Sequence, residues 1–196
     1  MEDELLFSYV LRLAEVNVMP VQQFTSAYMF SGLTGEQADR VLDYGSANYI
    51  HILVDNLGVD PIDFFLKTTL FPGLAPLIPR NEQTRYVNLA FRGRKMLPNI
   101  ITHIHSDVPV LKRCRICWEE EKKEFGFGWY HRAHQMPGVR VCYKHNTKLQ
   151  SMKKHYGKMM TCDDTDEADE ELEQEALEYA IFAKDFYSGP LVKTTI

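Results

Sequence analysis

The sequence lacks the long apolar run that would carry a chain across a membrane. No stretch of about 18 apolar residues occurs, and the first ten residues, MEDELLFSYV, are acidic where a signal peptide is basic. We therefore predict a cytoplasmic protein with no membrane partner. Because cytoplasmic thiols stay reduced, the four cysteines are not expected to form disulfides.

The motifs of common catalytic sites are also absent. The chain contains no His-x-Glu of a zinc deaminase, no Gly-x-x-x-x-Gly-Lys-Ser/Thr phosphate loop and no Gly-x-Ser-x-Gly nucleophile elbow. Thiol catalysis by Cys114 and Cys117 would need the βαβ surroundings of a redox protein, and no such pattern flanks them. We predict that the protein is not an enzyme.

What is present is the composition of a folded protein with an uneven distribution of charge. Apolar residues make up 45% and charged residues 25% of the 196 residues, which indicates one or two globular units. Residues 110–160 hold twelve Lys or Arg against four Glu, whereas residues 161–180 hold ten Asp or Glu and no Lys or Arg. The basic segment could bind a phosphate-bearing partner. Alternatively, the basic and acidic segments neutralise each other.

Helical signals dominate the first hundred residues. Leu6, Tyr9, Val10 and Leu13 recur at the three- and four-residue spacing of one helix face. Further helices are predicted from Pro20 to Gly32, in LTGEQADRVLDY behind Thr34, in ANYIHILVDNLG, in IDFFLKTTL behind Asp60–Pro61, and in EQTRYVNLAFRG behind Asn81. Three prolines make FPGLAPLIP an expected irregular loop. The interval 20–57 is compatible with a helix-turn-helix, as are the helix pairs of many small bundles.

Three of the cysteines and three histidines lie within the 34 residues 112–145. Cys114 and Cys117 form Cys-x-x-Cys, and Cys142 and His145 form Cys-x-x-His after 24 intervening residues. Two such pairs fit a tetrahedral zinc site, because each short loop lets both of its ligands point at one ion. Four ligands would fill the zinc and leave no position for a catalytic water. We predict one structural zinc ion.

A rival ligand set lies between the two pairs. His131 and His134, taken with the Cys-x-x-Cys pair, would make a two-cysteine, two-histidine finger. Their spacing is shorter than usual, and this set would leave Cys142 and His145 without a role, so it is the second choice. His131 and His134 are then either packing residues or contacts to a partner. Turn residues favour a small β-ribbon in this interval: Gly126, Gly128 and Pro137–Gly138.

Three stretches of the chain carry a family resemblance. They are ELLFSYVLRLAEVN near the start, FFLKTTLFPGLAP in the middle, and CRIC followed by FGFGWYHRAHQMPGVRVCYKHNTKL. Together they resemble the TniQ/TnsD family of bacterial transposon target-selection proteins, from about residue 4 to residue 149. By this resemblance the family's zinc ligands fall on Cys114, Cys117, Cys142 and His145. Arg115, Tyr143 and Asn146 depart from the residues common in the family, which changes the turns and not the ligands.

The resemblance implies a mainly α fold and an adaptor function. An N-terminal helical bundle with a helix-turn-helix would be braced by a small zinc-ribbon and followed by a C-terminal helix. Family members recognise an attachment site in DNA or a DNA-bound CRISPR RNA-guided complex, and they recruit the AAA+ regulator TnsC. Self-association as a homodimer is a further expectation. The side chains expected to contact nucleic acid or a partner are Arg113, Arg115, His131, Arg132, His134, Arg140 and Lys144.

The predicted domain organisation has three parts. Residues 1–108 form the helical domain, residues 109–150 the zinc-ribbon subdomain, and residues 151–196 an acidic linker with a C-terminal helix. That helix, in EQEALEYAIFAKDFY, either returns to the body of the protein or docks on a partner. Cys162 has no second Cys-x-x-Cys near it, so the chain is either a short adaptor or the N-terminal piece of a longer protein.

A second class of function stays open on the sequence. A free-standing DNA-binding transcription regulator with a zinc-ribbon and a helix-turn-helix would also carry these features. It would bind a specific operator and need no ATPase partner, whereas the adaptor would need both a target and TnsC.

Overall fold

The computed structural model describes residues 1, 3–28, 58–91, 111–155, 158–162 and 173–188. Within these ranges the fold is mainly helical, as the sequence predicts. The helices predicted in LTGEQADRVLDY and ANYIHILVDNLG lie outside the described residues, together with most of the helix-turn-helix interval. Among the described helices, none has both the length and the apolar character needed to cross a membrane.

The first helix, α1 (Leu6–Val16), forms where the apolar spacing predicts it. Its buried face holds Leu6, Val10 and Ala14 at four-residue intervals, so the stripe lies slightly to one side of the predicted one. The helix ends in a Schellman motif, in which Val18 donates to the carbonyl of Glu15 and Met19 to that of Ala14. The second helix, α2 (Val21–Tyr28), begins just after Pro20 as predicted.

The third helix, α3 (Pro61–Thr68), has the predicted cap. Asp60 accepts a hydrogen bond from the backbone N–H of Asp63 at 2.7 Å, and Pro61 occupies the first helical position. The helix α5 (Arg80–Phe91) begins one residue before Asn81, the predicted cap, and the carbonyl of Pro79 accepts from its first turn.

The proline-rich stretch between α3 and α5 corrects one expectation. FPGLAPLIP contains a short helix, α4 (Phe71–Leu74), and a 3₁₀ turn (Ala75–Leu77) where an irregular loop was predicted. Pro72 stands in the first turn of α4, where its missing N–H removes no helical hydrogen bond. The side chain of Gln83 donates to the carbonyls of Ala75 and Ile78 and ties this stretch to α5.

The second half of the described chain combines a small sheet with three helices. Strand β1 (Leu111–Arg113) pairs antiparallel with β2 (Gln150–His155), with Leu111 opposite Met152, and β2 pairs with β3 (Lys158–Cys162). Between β1 and β2 lie the helices α6 (Arg115–Phe125) and α7 (Arg132–Gln135). The interval expected to form a ribbon therefore contains two helices, and its two ends are held together by the antiparallel pairing of β1 with β2.

The last helix, α8 (Glu173–Ser188), returns to the body of the protein. Ala180, Ala183 and Tyr187 are buried, and the Tyr179 hydroxyl donates to the carbonyl of Pro137 at 2.9 Å. The backbone of Gly73 lies against Tyr187, since a Cβ at that glycine would fall 2.1 Å from the Tyr187 oxygen. The predicted helix is thus present, and it covers both α4 and the segment around α7.

Candidate metal centre

Two short chain segments bring the four predicted metal ligands together. Cys114 occupies the N-cap of α6, and Cys117 lies in the first turn of that helix. Cys142 and His145 lie in a tight turn, in which Asn146 donates to the carbonyl of Cys142 at 2.9 Å with a positive φ of 46°. Each segment therefore presents two ligands from a backbone that is closed by its own hydrogen bonds.

The ligand atoms approach one another closely. The Nδ1 atom of His145 lies 3.5 Å from the Cys114 sulfur, 3.3 Å from the Cys117 sulfur and 3.7 Å from the Cys142 sulfur. The sulfurs of Cys117 and Cys142 are 3.6 Å apart. All four ligand atoms lie within 4.8 Å of one another.

These separations are those of a tetrahedral metal site. Zinc binds sulfur at about 2.3 Å and histidine nitrogen at about 2.0 to 2.1 Å, so tetrahedral zinc holds two sulfurs about 3.8 Å apart and sulfur and nitrogen about 3.6 Å apart. The distances here differ from those values by a few tenths of an ångström. The four side chains could therefore hold one metal ion, and four ligands suffice for tetrahedral coordination.

The electrostatics of the three thiols also suit a metal. Hydrogen bonds from Cys117 and Cys142 lower the pKa of Cys114. The same hydrogen bonding with Cys114 is the main cause that raises the pKa of Cys117 and of Cys142. A metal ion would replace the shared protons, because thiolate is the form of cysteine that binds metal.

Two further side chains support the ligands. The Nε2 atom of His145 lies 3.3 Å from a carboxylate oxygen of Glu120, which can fix the imidazole with Nδ1 toward the metal. The Thr147 hydroxyl lies 3.4 Å from the Cys114 sulfur. Glu120 also accepts from Lys144 at 2.6 Å, and this hydrogen bond is the main reason that the pKa of Glu120 lies below its ordinary value.

A second buried group borders the four ligands and shares Cys117 with them. The carboxylate of Glu121 lies 2.5 Å from Nε2 of His131 and also accepts from the backbone N–H of Trp129 at 3.0 Å. Among the described residues, one other group of potential metal ligands has all its ligand atoms within 4.8 Å of one another: Cys117, Glu121 and His131. Because Glu121 and His131 already bind each other, this group is the weaker candidate for a metal.

The rival two-cysteine, two-histidine finger is not brought together among the described residues. His134 is fully buried, and neither of its ring nitrogens has a hydrogen-bond partner in the described structure. Its ring lies 4.8 Å from that of His131 and 5.6 Å from that of Tyr143, measured between centroids. Burial is the main cause that lowers the pKa of His134 to about 3, so this imidazole is neutral near pH 7.

Three of the side chains predicted to contact a partner are buried in the described structure. His131, Arg132 and His134 are at most 7% exposed. Arg132 binds the carboxylate of Asp3 at 3.2 Å and donates to the carbonyls of Leu66 and Tyr187. Its charge is used inside the protein, where it joins the N-terminus, α3 and α8 to α7.

The other four predicted contact residues reach solvent. Arg115 and Arg140 are exposed, and Lys144 is exposed and paired with Glu120. Arg113 is half-buried and lies over the ring of Trp118. The pair of Lys144 with Glu120 contributes little to stability, since surface ion pairs are screened by solvent.

Comparison with known proteins gives one match. A family model described as TniQ matches residues 1–149, which is about three quarters of the chain and includes all four ligands. Neither the comparison with curated proteins nor that with solved structures gave a match.

Proposed function

The chain belongs to the TniQ family and is therefore a transposition-associated protein, and we propose that it acts as a target-selection adaptor. In this proposal one surface recognises an attachment site in DNA or a DNA-bound CRISPR RNA-guided complex. Another surface binds the AAA+ regulator TnsC, which brings the transposase. The observation that carries the proposal is the family match over residues 1–149. The TnsD part of the resemblance stays a prediction.

We further propose that the metal is one zinc ion per chain and that its role is structural. Three sulfurs and one imidazole are the donors that zinc takes in structural sites. The four ligands would complete its coordination and leave no position for water or substrate. The proposed adaptor is accordingly not an enzyme, which agrees with the non-enzymatic accessory role of the TniQ family.

Exposed cations near the metal supply the proposed contact to phosphate or to acidic side chains. Arg115 and Arg140 are exposed, and Lys144 adds a further charge beside Glu120. Contacts of this kind need only positive charge, so they give weak DNA binding that falls as salt rises. Specific DNA interfaces prefer their site by about 10³-fold or more, and we expect much less from the isolated chain.

The test is capture of the ATPase encoded by the same element. The purified chain, immobilised, should retain that ATPase in the presence of ATP and target DNA. A chain carrying Arg115→Glu and Arg140→Glu should bind random duplex more weakly at about 0.1 M salt. Arg80→Glu together with Arg85→Glu, at two exposed arginines of α5, makes the same change in net charge and is the control, with less effect expected on DNA binding.

Two outcomes would overturn the adaptor role. One is the absence of any ATPase capture by a folded, metal-loaded chain. The other is tight binding to one operator, with strong site preference and no effect of the ATPase, which is the behaviour of a transcription regulator. The family assignment does not favour that second function.

A further inference from the structure

A groove on the side of α6 away from His131 has walls of cations and aromatic rings. It has a volume of about 680 Å³ and runs between α1, β1 and α6. We name it the basic–aromatic groove and define it by Leu11, Arg12, Arg113, Trp118, Lys122 and Phe127. None of these is a metal ligand, and only Arg113 belongs to the contact set predicted from sequence.

One wall is an arginine held over a tryptophan. The guanidinium carbon of Arg113 lies 4.7 Å from the centroid of the Trp118 ring, and its Nε donates to Gln150 at 3.3 Å. The Trp118 ring is itself fixed, with its edge toward Tyr130 at 5.4 Å between centroids. A Cβ at Gly128 would lie 2.5 Å from the indole, so the backbone there packs directly on the ring. Arg113 is thus positioned before any ligand arrives.

The facing wall repeats the arrangement. The guanidinium carbon of Arg12 lies 4.7 Å from the ring centroid of Tyr9 and 5.0 Å from that of Phe127. The Nε and Nη2 atoms of Arg12 donate to the buried carboxylate of Glu4, at 3.1 and 2.8 Å. Since Glu4 balances the charge of Arg12, this wall offers a fixed flat surface more than a free positive charge.

The free charge in the groove comes from Arg113 and Lys122, with Glu15 as the one carboxylate in the lining. Lys122 lies on α6, is exposed, and has no ion-pair partner within the described ranges. The groove therefore combines two cations with flat apolar surfaces that are already in place. A ligand that fits both features has anionic groups next to planar rings.

We propose that the basic–aromatic groove binds single-stranded nucleic acid, with bases stacked on the Arg113–Trp118 and Arg12–Phe127 pairs and a phosphate on Lys122. Nucleobases stack on guanidinium planes and aromatic rings, and phosphates take charge-assisted hydrogen bonds from Lys and Arg. An acidic peptide would use the two cations and leave the aromatic walls without partners. In a duplex the bases are stacked on one another and cannot reach these walls.

This inference rests on the proposed function and deepens it, because it states which class of ligand one surface of the adaptor binds. Binding itself is measured on the isolated chain without the ATPase. A failure of single-strand binding would leave ATPase capture unaffected. A failure of ATPase capture would likewise leave the groove measurement valid.

The experiment titrates the metal-loaded full chain into a fluorescein-labelled oligothymidine of about 12 nucleotides at about 0.1 M salt, read by fluorescence anisotropy. Arg113→Lys keeps the charge but loses the flat guanidinium, so it should weaken binding by at least about fivefold, the lower end for one lost base-stacking contact. Lys122→Gln should also weaken binding. Lys123→Gln makes the same charge change on the neighbouring residue, which lines a different cavity, and should leave affinity within about twofold of the wild type.

Competition with unlabelled molecules distinguishes single-stranded nucleic acid from the other possible ligands of the groove. A single strand should displace the label at lower concentration than a duplex or a poly-glutamate peptide of the same charge. Equal competition by poly-glutamate would overturn the proposal in favour of an acidic protein partner, and equal competition by duplex would overturn it in favour of backbone contact alone. No binding by the folded chain, or equal affinities of the Lys122→Gln and Lys123→Gln variants, would also overturn it. Circular dichroism and metal content confirm that each variant is folded. If the Arg113→Lys variant does not fold, the comparison of Lys122→Gln with Lys123→Gln still tests the proposal.

Discussion

Two buried clusters of this protein are held together by different means. The larger one, around α1, consists of bulky apolar side chains that include Leu6, Val10, Phe65 and Tyr130. Burying each such side chain contributes roughly 1.5 to 3 kcal/mol, so this cluster can stabilise itself. The smaller one surrounds the metal ligands, and its members are mostly short: Cys114, Cys117, Val139, Val141, Cys142, Leu149, Ala180 and Ala183.

The difference between the two clusters indicates that a metal ion would stand in for buried apolar area in the smaller one. Three cysteines and two alanines bury little apolar area, and Cys142 lies in a tight turn outside the helices and strands. A tetrahedral ion bonded to both ligand segments would supply the cross-link that the small side chains cannot. Small metal-binding modules usually depend on their metal for this reason. Each prediction below changes a side chain that belongs to one of the two clusters or borders it.

The largest effect is expected from Cys142→Ser, which removes one ligand from the metal centre. The apparent free energy of binding structural zinc is on the order of 10 kcal/mol, comparable with the whole stability of a domain. We expect loss of the metal, measured by elemental analysis, and a chain that is insoluble or unfolds at much lower denaturant concentration. Cys162→Ser is the control and should be nearly neutral, since Cys162 is outside the predicted ligand set. Equal damage from both changes would mean that the ligand set is wrong.

The next largest effect is expected from Arg132→Met, which breaks a buried ion pair that borders the larger cluster. It leaves the buried Asp3 carboxylate without its 3.2 Å partner and frees the carbonyls of Leu66 and Tyr187. Removal of one member of a buried ion pair costs about 3 to 5 kcal/mol. Denaturant unfolding measures the change, and Arg140→Met, at an exposed arginine, should alter the free energy of unfolding by less than about 0.5 kcal/mol.

A smaller, pH-dependent effect is expected from His134→Leu beside the metal centre. Burial lowers the pKa of His134 to about 3, below the value of about 6.5 that histidine has when unfolded. Between these two values the unfolded chain binds a proton that the folded chain does not, so stability falls as the pH falls. The slope from this residue is about 1.4 kcal/mol per pH unit.

The measurement is the free energy of unfolding at pH 7 and pH 5.5, with metal content checked at both. The leucine variant should keep its metal and lose less stability on acidification than the wild type does. An unchanged pH dependence would show that His134 is not buried in neutral form. Loss of metal from the variant would instead favour the rival finger.

The smallest effect is expected in the apolar half, at the end of α1. Val18 has a φ of 53°, a left-handed conformation that costs a residue with a Cβ about 1 to 2 kcal/mol, and it is 91% exposed. Glycine suits this position of a Schellman motif, so Val18→Gly should stabilise the protein by up to about 1 kcal/mol despite the greater freedom of the unfolded chain. Val16→Gly, at the last residue of the helix, should instead destabilise it by a few tenths of a kcal/mol. Thermal unfolding of the two variants should move in opposite directions.

Local signals in the sequence were enough to predict the metal ligands and several helices. Each ligand pair lies within one turn of chain, so its spacing alone indicates that both side chains point to one ion. The Asp60 cap was likewise predictable, because cap and helix are adjacent. The ligand role is supported by the geometry, and the identity of the ion stays a proposal.

Long-range structure was not predictable in this way. His131 and Arg132 looked like surface cations, and their burial depends on Asp3 and Glu4 at the other end of the chain. Glu120 was missed because its role requires α6 to begin directly after Cys114, whereas nearby glycines suggested a ribbon. If a helix had been predicted after Cys114, the carboxylate of Glu120, three residues after Cys117, would have indicated a second residue supporting the metal ligands. The short helix α4 was missed because Pro72 was taken as a breaker when it stands in a first turn.

Hydrogen–deuterium exchange before and after metal removal tests the central claim, that one metal ion holds the smaller cluster together. The wild-type chain would be exchanged with its metal and again after incubation with a chelator under reducing conditions. We expect amides of α6 and of residues 139–149 to lose protection first, while amides of α1 and α3 stay protected under the same mild conditions. Unchanged protection in α6 and residues 139–149 after verified metal loss would contradict the claim.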